Sequence, residues 1–397
     1  MRYPLASPTW DDLEIEAVNS VARSGRYTMG PNVKEFQERF AAYIGARYAV
    51  MVNSGSSANL LAVAALRYRS SKPLKLGDEV IVPAVSWGTT YFPLHQYGLK
   101  LRFVDVDIDT LNMDLDAAEG AITPRTRAIF AVNLLGAPND FNRLRDLCAR
   151  HDLILMEDNC ESMGATYEGK HAGTFGVCGT FSTFFSHHIC TMEGGVVVTD
   201  DEEMCQIVTS LRAHGWTREL PDDNHVCSKE SDPFREMYRF VLPGYNVRPL
   251  EISAAVGLRQ LDKLDGLLSA RRKNARRFVE LFGDLDYVRI QKPLGDSSWF
   301  GFALILHGPL LGQRDRVVQC LTEAGVECRP IVAGDFTKNP VIQYFDYEIH
   351  GELKNAERVD KDGFFVGNHH YDISEELYGL KELLDGCAYG RPERSAA

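Results

Sequence analysis

The 397-residue chain is short of positive charge. Its 43 lysines and arginines face 55 aspartates and glutamates, a formal net charge of −12. Binding to a nucleic-acid backbone needs a basic face, so no nucleic-acid partner is expected. No apolar run approaches the roughly eighteen residues of a membrane span. The opening MRYPLASPTW lacks the charged and apolar regions of a signal peptide, and no membrane partner is expected. The nine cysteines are scattered, at 148, 160, 178, 190, 205, 227, 320, 328 and 387, with no C-x-x-C pair. An odd, dispersed set reads as reduced thiols in a cytoplasm, most of them in the core. There is no G-x-S-x-G elbow and no G-x-G-x-x-G. Without H-E-x-x-H or a Cys–His spacing, no metal is expected. GATYEGKH at 164–171 nearly spells a P-loop, but His171 replaces the magnesium-binding hydroxyl.

What is present is an ordinary globular composition, 45% hydrophobic and 25% charged, long enough for a sizeable core. Residues 10–23 and 31–44 have helical periodicity, and Pro31 suits an early helical position. Short apolar runs then recur at 79–83, 101–106, 127–135, 152–158, 179–185 and 194–200. Amphipathic stretches such as 113–121 and 138–151 separate several of them. That alternation predicts an α/β fold with a mainly parallel sheet, whose ligands bind beyond the strands' carboxyl ends. It stops near residue 215. A polar, turn-rich loop is expected at 219–236, then a long helix at about 250–283. The last part reads as a smaller α+β unit with a helix at 313–325. The polar tail after Gly390 is expected to fray.

Four stretches carry candidate chemistry. NSGSSANLL at 53–61 puts small residues before an apolar helical run, which suits a phosphate and equally suits a plain N-cap. The run at 152–158 ends in Glu157-Asp158, on the ligand edge of such a sheet. A carboxylate there can hold a ring nitrogen protonated or simply be solvated. Trp87 follows a strand, as a stacking platform or as core. FSTFFSHHICTMEGG at 181–195 places two adjacent histidines before a Gly-Gly turn. One can transfer protons near neutral pH, or one is packed and the other solvated.

Taken in order, S-G-S-x-A-N, the tryptophan, E-D-N-C-x-x-x-G-A and F-S-x-F…E-G-G resemble the sugar aminotransferase family of pyridoxal-phosphate enzymes, over essentially the whole chain. The resemblance implies fold type I. A large cofactor-binding domain is expected at 1–249, its first ~25 residues packing on the small domain, and a small C-terminal domain at 250–397. The family carries a Schiff-base lysine six residues before the Glu of E-G-G. Counting back from Glu193 gives His187. Imidazole cannot form that Schiff base, so pyridoxal or pyridoxamine 5'-phosphate would be bound non-covalently. Further stretches, among them IVPAVSWGTTY, FVLPGYNVRPLE and ECRPIVAGDF, resemble a subgroup of that family. Its members dehydrate GDP-4-keto-6-deoxy-D-mannose at C3 for colitose and O-antigen synthesis, with L-glutamate as amino donor. A second dehydratase branch carries a [2Fe–2S] cluster. Cys320 and Cys328 alone do not reproduce its cysteine grouping, so no cluster is expected.

The resemblance implies that Ser56, Ser57 and Ser182 contact the phosphate, Trp87 stacks on the ring, Asp158 pairs with the ring nitrogen and Glu161 lies nearby. Asn246 would reach the cofactor of a neighbouring subunit in a homodimer with shared sites. His187 is the expected acid–base catalyst, with His188 its rival. Ser186, His214, Arg248 and Arg329 are substrate or supporting candidates. The alternatives are a 4-keto-sugar aminotransferase, a 3-dehydratase for another nucleotide sugar, and a non-catalytic binding protein.

Overall fold

The computed structural model describes residues 2–390, so the tail beyond Gly390 lies outside the described residues. Strands β1 Tyr48–Val52, β2 Glu79–Pro83, β3 Lys100–Val104, β4 Thr126–Val132 and β5 Ile154–Asp158 come first. A two-stranded hairpin follows, β6 Thr166–Tyr167 with β7 Lys170–His171. After it come β8 Cys178–Ser182, β9 Gly195–Thr199, β10 Val288–Ile290, β11 Gly301–Leu306, β12 Cys328–Arg329, β13 Tyr347–Ile349 and β14 Gly363–Gly367.

Eight of these form one sheet in the order β1-β9-β8-β5-β4-β2-β3-β13. Within it only β9 runs against the others. Every residue of β2, β5, β8 and β9 is buried. Strands covered on both faces read as continuous apolar runs, as these do in the sequence. β13 adds in parallel to the β3 edge, with Tyr347 opposite Leu101 and Ile349 opposite Phe103. The large sheet therefore takes its last strand from beyond residue 340.

Helix Asp12–Ser24 opens with a capping box in which the Asp11 and Glu14 side chains accept reciprocally. Helix Pro31–Ile44 buries Phe36, Phe40 and Ile44 and ends on Gly45 in the left-handed region. Both pack on helix Glu251–Phe282, a 32-residue element about 48 Å long by its rise. Its first half faces the large sheet's core through Ala254 and Leu258. Its second half sends Phe278 and Phe282 into a separate core under the antiparallel sheet β10-β11-β14-β12. Helices Arg314–Glu323 and Ser374–Tyr389 cover that smaller sheet. Tyr3 joins this second core. It is fully buried, its hydroxyl donates to the Gly367 carbonyl at 2.6 Å, and it bridges Val326.

Candidate functional site

A cavity of about 760 Å³ opens at the carboxyl ends of the central strands, between the two sheets. Three of its walls come from the large sheet. At one, helix Gly55–Tyr68 begins, its N-cap Ser54 accepting from the Ser57 amide at 3.1 Å. Ser54, Gly55 and Ser56 line the cavity beside Ser182 at the end of β8. Unpaired amides and the positive end of the helix dipole make this corner a site for an anion. The packing there leaves no slack. A Cβ on Gly55 would stand 2.6 Å from the Ser182 Cβ and 2.9 Å from the Cys160 Sγ.

At the floor lies Asp158, the last residue of β5. Its Oδ2 accepts from Asn59 Nδ2 and from Thr90 Oγ1, both at 2.8 Å, and its Oδ1 accepts from the Cys160 amide at 3.0 Å. Thr180 Oγ1 in turn donates to Asn59 Oδ1 at 2.6 Å. Four segments of chain thus fix the position of one buried carboxylate. Trp87, the N-cap of helix Gly88–Gln96, stands at the rim with its side 60% exposed. That exposure excludes a core role and leaves an indole face open to a planar ligand.

The fourth wall carries the titratable groups. His187 Nδ1 lies 2.5 Å from the Cys160 carbonyl oxygen. A carbonyl only accepts, so Nδ1 carries the hydrogen and Nε2 keeps its lone pair. Burial pushes the imidazole down to about 4, against that hydrogen bond, which raises it. His187 is therefore neutral at physiological pH. Glu161 lies in the same cavity with Oε2 accepting from the Leu135 amide at 3.0 Å. Leu135 holds a left-handed φ of 50° to present that amide. Burial raises the Glu161 carboxyl to about 7, and the nearby Asp158 charge adds to the rise. Among the described residues Arg329, on β12, is the one cationic side chain lining the cavity, and no lysine lines it. Among the described residues no cluster of three or more His, Cys, Asp or Glu side chains is placed to hold a metal ion.

A model of the DegT/DnrJ/EryC1/StrS aminotransferase family matches residues 8–376. The chain belongs to this family. A GDP-4-keto-6-deoxy-D-mannose 3-dehydratase of Yersinia pseudotuberculosis is 56% identical over 97% of this chain and 98% of its own length. A solved E. coli GDP-4-keto-6-deoxy-D-mannose 3-dehydratase with bound hydrated PLP matches at TM-score 0.95 and 54% identity, covering 97% of this chain and 99% of that one. A second structure of such a dehydratase, holding a trapped PLP-glutamate geminal diamine, matches at TM-score 0.95 and 54% identity over 96% and 100% of the two chains.

Within the family fold, the sequence-expected residues divide into two groups. Ser56, Trp87, Asp158, Glu161, Ser182, Ser186, His187 and Arg329 share the cavity. Ser57 does not line it. Its hydroxyl donates to Asn53 Oδ1 at 2.6 Å and so secures the turn that precedes the helix. His188 is fully buried behind the wall, with Nε2 3.1 Å from the Ser298 carbonyl. His214 packs its ring 4.8 Å from that of Trp216, outside the cavity. Arg248 Nε donates to Asn246 Oδ1 at 3.0 Å on the same outer loop, which is tied back by the Asn53 amide donating to the Val247 carbonyl. The residues that sequence reasoning passed over are Asn59, Thr90, Thr180 and Phe300. Asn59 carries a signal, since it lies one helical turn beyond Gly55 in SGSSAN.

Proposed function

We propose that this chain is a pyridoxal-phosphate-dependent lyase that removes the C3 hydroxyl of GDP-4-keto-6-deoxy-D-mannose, with L-glutamate as amino donor. The products are GDP-4-keto-3,6-dideoxy-D-mannose, 2-oxoglutarate and ammonia, on a route to colitose and O-antigen. The observation that supports this reading is His187, which lines the cavity and presents a free Nε2, and which the count back from Glu193 sets at the position of the family's lysine.

The cavity fits the cofactor. The helix amides at Gly55 and Ser56, with the Ser56 and Ser182 hydroxyls, suit its phosphate. The Trp87 indole suits a face of its ring, and the triply hydrogen-bonded Asp158 suits a protonated ring nitrogen. When bound, the cofactor supplies an electron sink that carries the amino group of glutamate to the sugar.

His187 does the proton work. Its Nε2 takes a proton from carbon beside the amine and returns it to the departing C3 hydroxyl, so one group is base and then acid. An anionic ligand in the cavity opposes the effect of burial and raises the imidazole toward the value this exchange needs. The Cys160 carbonyl holds the ring in one tautomer throughout. With no lysine to recapture the amine, it leaves as ammonia. Arg329 offers its guanidinium to the diphosphate or to a glutamate carboxylate. The exposed loop bearing Asn246 supports a homodimer in which Asn246 of the partner subunit reaches the phosphate. Nine free thiols support action in a reducing cytoplasm.

The test is the product mass after incubation with the cofactor, glutamate and the GDP-keto sugar. The reading expects a nucleotide sugar lighter by one oxygen, with ammonia released. A 4-amino sugar in its place overturns it.

A further inference from the structure

On the opposite edge of the large sheet lies a second, shallower cavity of about 380 Å³. Its floor is apolar, built from Leu153, Leu155, Phe175 and Val177, and its rim carries Arg69, Lys72 and Arg145. A smaller cavity of about 260 Å³ adjoins it, sharing Lys72 and Ile154 and adding Lys75 and Arg127. Five cations thus meet around one depression, in a chain whose net charge is −12. The carboxylates lining the pair are Asp78 and Asp152.

The pairing of these cations is incomplete. Lys72 engages Asp152, and Arg69 engages Asp201 at 3.2 Å. The Arg69 Nε nevertheless remains buried with no hydrogen-bond partner. Arg127 donates only to the carbonyls of Pro124 and Thr126, which neutralise no charge. Lys75 and Arg145 have no ion-pair partner among the described residues. Clustered like charges repel, so a chain this acidic has every opportunity to pair them. Lys72 and Asp152 both sit at left-handed φ, 49° and 55°. Asp152 takes that conformation as the C-cap of helix Phe141–His151, and there it meets the Lys72 ammonium at the shared wall of the two cavities.

We propose that this depression is a second ligand site, specific for small molecules bearing a diphosphate, whose oxygens are received by Lys72, Lys75, Arg127 and Arg145. Arginine forks suit phosphoryl oxygens, and the apolar floor beside them accepts a base or other flat group. The site does not depend on the reading of the catalytic cavity. It is connected to it by secondary structure. β5 runs from Ile154 in this depression to Asp158 in the catalytic cavity, and β8 runs from beside Val177 to Ser182. Helix Gly55–Tyr68 starts at the catalytic cavity and ends at Arg69. Each strand covers about 13 Å, so the sites are distinct yet joined by rigid elements.

The test is calorimetric titration of inorganic pyrophosphate, and separately of GDP, into enzyme loaded with pyridoxamine phosphate. Three proteins are compared: the unaltered enzyme, an Arg127→Glu/Arg145→Glu variant and an Arg329→Ala variant. Arg127 and Arg145 are exposed, and a Lys75→Gln variant repeats the measurement with a milder change. The unaltered enzyme should show a pyrophosphate site that the double variant weakens at least about tenfold and Arg329→Ala leaves intact. Lys75→Gln should weaken it in the same direction. Equal pyrophosphate binding by the double variant and the unaltered enzyme would overturn the proposal. So would loss of that binding on Arg329→Ala alone, which would assign all diphosphate affinity to the catalytic cavity.

Discussion

Replacing Gly55 by alanine sets two effects of opposite sign against each other. Alanine is the better helix former, by up to about 1 kcal/mol in a helix interior and less at the first turn. Against that, the new methyl would stand 2.6 Å from the Ser182 Cβ and 2.9 Å from the Cys160 Sγ. Carbon contacts are comfortable at about 3.5–4.0 Å, so the overlap is roughly 1 Å. Ser182 is held against a swing by its pairing with Gly195 of β9. Overpacking of this kind costs about 1–3 kcal/mol. The net expectation is a loss of about 1–2 kcal/mol in the apo protein, read as a lower urea midpoint. Cofactor affinity should fall further. On the proposed reading of this corner, moving the helix start from Ser182 removes a phosphate contact, and a hydrogen bond to a charged group contributes about 1.5–3 kcal/mol, roughly ten- to a hundredfold in Kd. Spectroscopic titration with pyridoxamine phosphate measures that directly. Gly266→Ala is the control, since it lies in helix Glu251–Phe282 with nothing within 4 Å of its would-be Cβ. It should stabilise the protein slightly and leave affinity alone. If Gly55→Ala behaves like Gly266→Ala, the close-packed anion corner is misassigned.

His187→Asn should retain cofactor binding and lose dehydration, so normal turnover by it would remove His187 from the mechanism. His187→Lys should give a pyridoxal-phosphate adduct trapped by borohydride, which mass spectrometry would detect or exclude. Burial lowers the folded His187 to about 4, below the ordinary value near 6.5. The stability it confers by staying neutral is complete above about pH 6.5 and is lost as pH falls toward 4. His187→Asn should therefore flatten part of the acid limb of the stability profile between those values. Glu161 has the opposite sense. Raised to about 7, it is neutral below that value and charged above it. Glu161→Gln should remove any transition near pH 7 from the absorbance of the bound cofactor, and persistence of that transition would assign it elsewhere. Trp87→Ala should weaken cofactor binding up to about tenfold with little change in urea midpoint, because the ring is mostly exposed.

Local patterns carried the sheet's centre into plain view. Helix Pro31–Ile44 has the limits expected of it, and all six apolar runs singled out along the first 200 residues overlap strands. Asp158 was legible because a carboxylate ending an apolar run must emerge at the strand's carboxyl edge. The choice of His187 over His188 rested on the six-residue count back from Glu193 alone, since adjacent residues after a strand share their local signals. The turn decides which imidazole meets the Cys160 carbonyl and which is buried behind the wall at the Ser298 carbonyl. Thr90 and Thr180 were hidden for another reason. A hydroxyl that fixes a distant carboxylate looks like any other threonine until the chain brings residues 90 and 158 together. β1 escaped notice as five residues wedged between a helix and the SGSS turn.

β13 was the least legible strand, and its position has a consequence for biogenesis. Residues 347–349 pair with residues 101–103, so about 250 residues separate the two sides of one ladder. During synthesis β3 exists for a long interval as a bare edge, its amides and carbonyls open to any other extended chain. The strand that closes it is three residues long, exposed throughout, and carries Glu348 against Lys100 and Arg102. A strand so brief and so charged makes a poor template once in place, and seals the edge of the finished protein. A chain broken between Thr199 and Tyr347 would lack that seal while keeping the other seven strands of the sheet. Such fragments should associate edge to edge, and the danger in an interrupted translation lies in β3 rather than in the active site.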